Sequence, residues 1–190
     1  MFEPKPHTIV HSIVQRSLLK WWEDQRAGRI APARSEIDPH QLARYWNDVA
    51  MYEVVRLGRQ ARYRFRFHGN GISLADGADF RGRFLDEALP EAMQRSILAA
   101  YNAILSLKCP IYTVRPAVDA NGVALRFERL LLPFSARGDT VDDVLTHIQM
   151  FCPEGRYQRQ RLFESGLTYK DHTVRAAIAP QAAARKSRAG

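Results

Sequence analysis

Cysteine is almost missing from this chain. Cys109 and Cys152 are the only two, they lie far apart, and no CxxC pair exists. This excludes a disulfide framework and a thiolate zinc site, and it predicts a reducing, cytoplasmic setting. Both thiols stand among apolar neighbours, where free cysteine is ordinarily a small buried hydrophobe. No run approaches the ~20 apolar residues that a membrane span needs. Residues 1–12 mix polar residues with prolines and have no apolar stretch of the kind a secretory signal carries. The six histidines are dispersed, and no metal site is expected. A phosphate-binding loop and a nucleophile elbow are also absent. His68-Gly69-Asn70-Gly71 follows a strand pattern but lacks the third glycine of a dinucleotide loop, so its glycines are read as turns.

Net charge is the apparent exception. The chain carries +8, yet residues 153–190 alone account for +5, so most of the excess lies in the tail and not on the body. No aromatic residues interleave the last basic residues as a base-stacking surface would require. Nucleic-acid binding is therefore not expected, and the charge is read as solubilising.

Hydrophobic periodicity fills in the rest. Over residues 8–27, Val10, Ile13, Val14, Leu18, Trp21 and Trp22 recur at helical spacing, with Gly28 as a stop. This stripe must be buried on its own domain or on a second copy, and Val10, Val14, Leu18, Trp21 and Trp22 are the interface candidates of a homodimer. Asp38 and Pro39 start a second, short helix. Residues 49–56 and 61–68 read as a hairpin. In the second strand Tyr63, Phe65 and Phe67 alternate with Arg62, Arg64, Arg66 and His68. Residues 69–89 are irregular, and a long helix runs from Pro90 to about Leu107, before Cys109-Pro110. Strands follow at 111–118, 123–133 and 141–151. Asn121-Gly122 marks a tight turn with positive φ at both positions.

Two strands, a helical crossover and three strands predict an α+β fold with one five-stranded antiparallel sheet. Its helices should cover one face, and N-terminal helices precede it. The expected divisions are an N-terminal helical extension over 1–37 and the main domain over 38–152. A short helical segment over 153–175 and a basic, disordered tail over 176–190 follow.

That order of elements is the order of a PAS domain. In detail the chain resembles a family of small proteobacterial PAS proteins. The resemblance is carried by Trp22 with Arg26-Ala-Gly-Arg29, by Pro32-Ala-Arg34-Ser-Glu-Ile37-Asp38-Pro39, and by Tyr63-Arg-Phe-Arg66-Phe. It continues in Gly77-Ala-Asp79-Phe-Arg-Gly82 and Glu128-Arg129-Leu-Leu-Leu-Pro133, and spans about residues 18–151. It implies a PAS fold with an N-terminal helical extension and a sensory or signalling role with an undefined small ligand.

The cofactor stays unknown. The Asn-Cys-Arg motif of flavin photoreceptors is absent, and the long helix offers no histidine to a haem. The expected cavity lies between sheet and crossover, with Tyr63, Phe65, Phe67, Ile97, Tyr101, Phe127 and His147 as lining candidates. Glu128 and Arg129 face opposite sides of their strand. Periodicity does not decide which is inside, but an inward Arg129 would need an anionic partner. The Arg62/Arg64/Arg66 row is read as a solvated face paired with acids on neighbouring strands. His147 with Glu128 or Glu53 is the one acid–base combination available, and no enzymatic activity is expected. The chain is thus expected to be a stand-alone cytosolic PAS sensor that signals through a protein partner or a change in its dimer. The alternative is a ligand-free PAS adaptor acting only through protein contacts.

Overall fold

The computed structural model describes residues 1–58, 60–155 and 166–179. Helix α1 (Ile13–Arg26) is capped by Ser12, whose Oγ accepts the Gln15 N–H. It ends where Ala27 and Gly28 both take positive φ. Asp38 caps the one-turn helix α2 (Pro39–Leu42) by accepting the His40 N–H, and a 3₁₀ turn over Ala43–Asp48 leads into the sheet.

The sheet is built on strands β2 (Val49–Leu57), β3 (Gln60–His68), β4 (Ile111–Val118), β5 (Ala124–Phe134) and β6 (Asp143–Phe151). They pair antiparallel in the order β3-β2-β6-β5-β4. Between β3 and β4 run α3 (Asn70–Asp76), α4 (Leu85–Ala88) and α5 (Glu91–Leu107). This is the expected α+β architecture with a helical crossover.

The sheet goes further than five strands. β8 (Val174–Ile178) pairs antiparallel with β4, β7 (Thr168–Tyr169) pairs with the far end of β4, and β1 (Glu3–Lys5) adds parallel to β8. Within the segment expected to carry a short helix, 153–175, the described residues 166–175 hold strand structure instead, Thr168–Tyr169 and the start of Val174–Ile178. The tail expected from 176 begins with three buried residues, Ala176, Ala177 and Ile178. Alanine is a poor strand former, so composition hid this strand. Burial of a short apolar run against the open edge of β4 outweighs that propensity, because an unpaired edge leaves its N–H and C=O groups unsatisfied. Residues 156–165 and 180–190, the remainder of those two expectations, lie outside the described residues.

A second correction concerns layers. Both faces of the sheet are covered, not one. On the outer face Leu18, Leu19 and Trp22 of α1 pack with Tyr112, Val114, Leu130, Leu132 and Phe134. Trp22 is 0% exposed and its Nε1 donates to the Pro133 carbonyl at 2.7 Å. Burying a side chain of this size contributes about 1.5–3 kcal/mol or more. On the inner face α5 packs Ile97, Tyr101 and Ile104 against Tyr52, Val54, Tyr63, Phe65 and Leu131. The α1 stripe is thus spent on its own domain.

The alternation in β3 is broken by a bulge. Met51 pairs with Phe67 and the next residue, Tyr52, pairs with Phe65, so Arg66 is the extra residue. Tyr63 and Phe65 point inward as expected. Phe67 is thrown to the outer layer, where its ring stands 4.8 Å from that of Trp46, and His68 turns inward, 5.0 Å from the ring of Phe65. The Asn121-Gly122 turn also differs: only Gly122 has positive φ. Asp119 organises the loop instead, its Oδ1 accepting the N–H groups of Asn121 and Val123.

Candidate functional site

A cavity of about 690 Å³ lies between the inner face of the sheet and α3, α4 and α5. Tyr52, Phe65, Phe80, Leu85, Ile97 and Tyr101 form its apolar walls. Phe127, Arg129, Ile148 and Met150 of β5 and β6 form its floor, and residues 166–169 close one side. The size and the aromatic lining suit a small organic molecule. Tyr101 is fixed by a hydrogen bond between its hydroxyl and Thr146 Oγ1 at 2.8 Å. Burial pushes that hydroxyl up to about 12, and pushes Tyr52 up as well. Both phenols are therefore neutral donors at ordinary pH.

Two arginines enter this apolar space. Arg115 on β4 is opposite Phe127 on β5, and Arg129 lies two residues along β5 on the same face. The arginines are thus diagonal neighbours, a relation that brings long side chains within reach of each other. Arg115 is only 8% exposed. Its Nε donates to the Lys170 carbonyl at 2.9 Å, one terminal nitrogen donates to Ser96 Oγ at 2.9 Å, and its guanidinium stacks on Tyr169. Burial, and then the charge of Arg129, pull its ionisation below the usual arginine range, against the opposing pull of Tyr169 and Asp171. Arg129 rests over the Phe127 ring at 5.8 Å, and its buried Nη1 has no hydrogen-bond partner among the described residues.

The structure answers the question that periodicity left open: Arg129 faces the cavity and Glu128 faces α1. Of the lining candidates, Phe65, Ile97, Tyr101, Phe127 and Arg129 meet at the cavity. Tyr63 stands one layer back, its ring 4.9 Å from that of Tyr101 and its hydroxyl donating to Asn102. Phe67 is excluded by the bulge. His147 is also a correction. It pairs with Leu130, on the outer face, and lies against Tyr45 and Gln15. Its parity on β6 was readable, but which parity faced the crossover was not. Arg115, Phe80 and residues 166–169 were missed. Arg115 immediately precedes Pro116 inside a strand pattern, and nothing local marked it as inward.

Of the interface candidates, Val10, Leu18 and Trp22 are 0% exposed and cannot meet a partner in this conformation. Trp21 is half-buried, packs near Phe134 and donates to Gln41 Oε1. Val14 is 43% exposed and its neighbour Ile13 73%, so the outward apolar face of α1 is small.

Under α1 lies a polar cluster. Glu128 is 0% exposed; its Oε2 accepts the Tyr112 hydroxyl at 2.7 Å. Its Oε1 lies 3.0 Å from Arg126 Nε and 3.6 Å from His11 Nδ1, close enough for charge pairing though not aligned as hydrogen bonds. His7 and His11 stand four residues apart, but each has its own carboxylate, Glu23 and Glu128. Gln15 Nε2 donates to the Glu128 carbonyl, tying α1 to β5.

His68 is a second hub. Its Nδ1 accepts the Phe80 N–H at 3.1 Å, which leaves Nε2 protonated and facing Asp76 Oδ2 at 3.2 Å. Ser73 Oγ also reaches Nδ1, at 3.1 Å, but is shared with the Gly69 carbonyl. A serine, histidine and carboxylate thus come together, with the histidine nitrogen already held by a backbone N–H. The arrangement pins α3 to β3. Gly69, expected in a turn, is the residue before α3, and a Cβ there would stand 2.2 Å from the Trp46 carbonyl oxygen. Gly71, also expected in a turn, lies within α3. The arginine row is paired with acids, but only partly on the neighbouring strand: Arg64 and Arg66 meet Glu53 of β2, Arg66 also meets Asp143 of β6, and Arg62 meets Asp86 and Glu87 of helix α4.

The cavity lining contributes neither cysteine nor histidine. Cys109 is buried in the inner core, where burial raises its thiol, and Cys152 is half-buried. Among the described residues no group of three or more His, Cys, Asp or Glu is placed to hold a metal ion, and no helix is long and apolar enough to cross a membrane.

Comparison with known proteins places this geometry. A family model described as PAS domain matches residues 10–149, most of the chain. Among solved structures the chain is similar to the one described as an RNA-binding Light-Oxygen-Voltage receptor, at 17% identity and a TM-score of 0.38. That likeness covers 70% of this chain and 38% of the other, so the chain spans well under half the length of that protein. No curated protein matches the chain.

Proposed function

This chain belongs to the PAS domain family, and on that premise we propose that it is a ligand-binding sensory protein that performs no chemistry of its own. The observation that carries this proposal is the cavity of about 690 Å³ between the inner sheet face and the crossover helices. A domain that acted only as an adaptor would have no use for such a space, since an unfilled apolar cavity costs stability in proportion to its volume. The aromatic walls supply affinity, and Tyr101, Arg115 and Arg129 supply polar selection. The signal passes to a protein partner or to the dimer. α1 is the element suited to carry it, because Gln15 bonds directly to β5, the strand whose other face bears Arg129.

Native mass spectrometry of the freshly purified protein, before and after denaturation, tests the proposal. The expected spectrum contains a reproducible extra mass that denaturation releases. A bare chain mass, together with no thermal stabilisation by any member of a small-molecule panel, overturns it in favour of the adaptor. The same spectrum reads the oligomer.

A further inference from the structure

We infer that the ligand of this cavity is an amphipathic organic oxyanion, its charged head held by Arg129 and Arg115 and its apolar body lying along α5. The inference rests on the ligand-binding proposal above and specifies the chemistry of that ligand.

Three observations carry it. First, Arg129 reaches into the cavity with no hydrogen bond and no ion pair among the described residues, and its Nη1 is buried. A guanidinium offers five donors, and a buried donor without an acceptor costs free energy that an incoming acceptor recovers. Second, Arg115 stands diagonally across the β4–β5 pair on the same face, so two positive charges share one apolar space. Arg115 is buried and Arg129 partly so, and like charges held together in a partly desolvated space repel unless an anion lies between them. Third, the carboxylate in the cavity wall, Asp76, is already engaged by His68 at 3.2 Å, and neither arginine makes an ion pair with it. Asp171 is exposed and acts on Arg115 only at a distance.

The two arginines differ in what they do without a ligand. Arg115 is fixed in place by Ser96 and by the Lys170 carbonyl, and so presents a preorganised positive wall. Arg129 is uncommitted and can close on an oxyanion head with its planar fork. The remaining lining is aliphatic and aromatic, from Phe80, Leu85, Ile97 and Met150, and fits a hydrocarbon or ring body. A neutral molecule would leave both cations uncompensated, and a polyanion of the nucleotide type would bring more charge than two arginines neutralise.

The test uses the full-length folded chain and a matched pair of fluorescent probes, 1-anilinonaphthalene-8-sulfonate and its neutral counterpart N-phenyl-1-naphthylamine. Both are titrated against the wild type, Arg129→Gln, Arg129→Lys and the cavity-filling variant Ala88→Phe. Arg129 makes no bond that holds the fold, so its variants remain folded, which circular dichroism verifies. The wild type is expected to bind the sulfonate about 10- to 100-fold more tightly than the neutral probe, the range of one charge-assisted hydrogen-bonded contact. Arg129→Gln should remove most of that preference, leaving the part that Arg115 supplies and the neutral probe unchanged, Arg129→Lys should restore part of it, and Ala88→Phe should weaken both probes. Equal affinity for the two probes, or an Arg129→Gln protein whose preference for the sulfonate is undiminished, overturns the anion inference. If Ala88→Phe still weakens both probes in that case, the ligand-binding proposal stands. Probe binding that Ala88→Phe does not alter, or no binding at all, overturns both.

Discussion

Glu128 and Arg129 are neighbours in β5 that live in opposite environments. Glu128 points into a layer filled by α1, is 0% exposed, and is compensated by Tyr112, Arg126 and His11. Arg129 points into a cavity, rests over the Phe127 ring, and has a buried Nη1 without a hydrogen-bond partner among the described residues. The outer face is packed and its buried charge is balanced within the chain. The inner face is partly unfilled, and among the described residues Arg129 has no ion pair there. Buried charges that find partners inside the molecule serve the fold; a cation left without one marks a place where something from outside completes the structure.

The comparison is broken most forcefully on the packed side. Trp22→Ala removes a fully buried indole and its bond to the Pro133 carbonyl, and should cost about 3–5 kcal/mol in denaturant unfolding. A loss under 1 kcal/mol would mean that the outer layer is not the packed one. Next in size, Glu128→Ala strips the counter-charge from Arg126 and the acceptor from Tyr112 and should cost about 3 kcal/mol. Arg129→Gln, one residue along, should not destabilise at all: removing the unpaired donor and its repulsion from Arg115 should raise stability by about 1 kcal/mol. Similar losses at the two positions would erase the contrast on which the anion inference depends.

A pH dependence sharpens the comparison from another side. His172, beside the cavity arginines, is held down to about 4 by burial first, and then by the charges of Arg175, Arg115 and Arg129. Its ordinary value is about 6.5, so between those values the unfolded chain binds a proton that the folded chain does not. Stability therefore falls as pH drops from about 6.5 toward 4, and the contribution is fully recovered above 6.5. Denaturant midpoints measured from pH 7 to 5 should decline less steeply in His172→Asn than in the wild type. Identical slopes would mean that His172 does not feel the arginines.

Much of the fold was legible because its signals are local. Asp38, Gly28 and the residue before Pro110 mark helix ends by backbone chemistry that needs no knowledge of the rest of the chain. The spacing of Ile97, Tyr101 and Ile104 gives α5 its buried face, and Tyr63 with Phe65 gives β3 its inner one. The order of these elements was enough for the family. The same local signals placed Phe65, Ile97 and Tyr101 at the cavity, whereas Phe127, which shares the parity of Arg129, waited on knowing which face of β5 turns inward.

What failed was set by partners distant in sequence. A one-residue bulge opposite Met51 and Tyr52 turns Phe67 out and His68 in, and a strand's own pattern does not contain the register of its neighbour. His147 and Arg129 could be assigned to faces only once it was known which side α1 would cover. Val174–Ile178 becomes a strand because the edge of β4 is open to receive it, against the propensity of its alanines. Sequence alone determined the two long helices, the five strands of the central sheet and that the chain is a PAS domain, since periodicity, caps and short motifs act within a few residues. Tertiary structure alone decided which face each strand turns to the cavity, and so that Arg129 and not Glu128 enters it and has no ion pair among the described residues, because burial and charge compensation depend on what packs across the sheet.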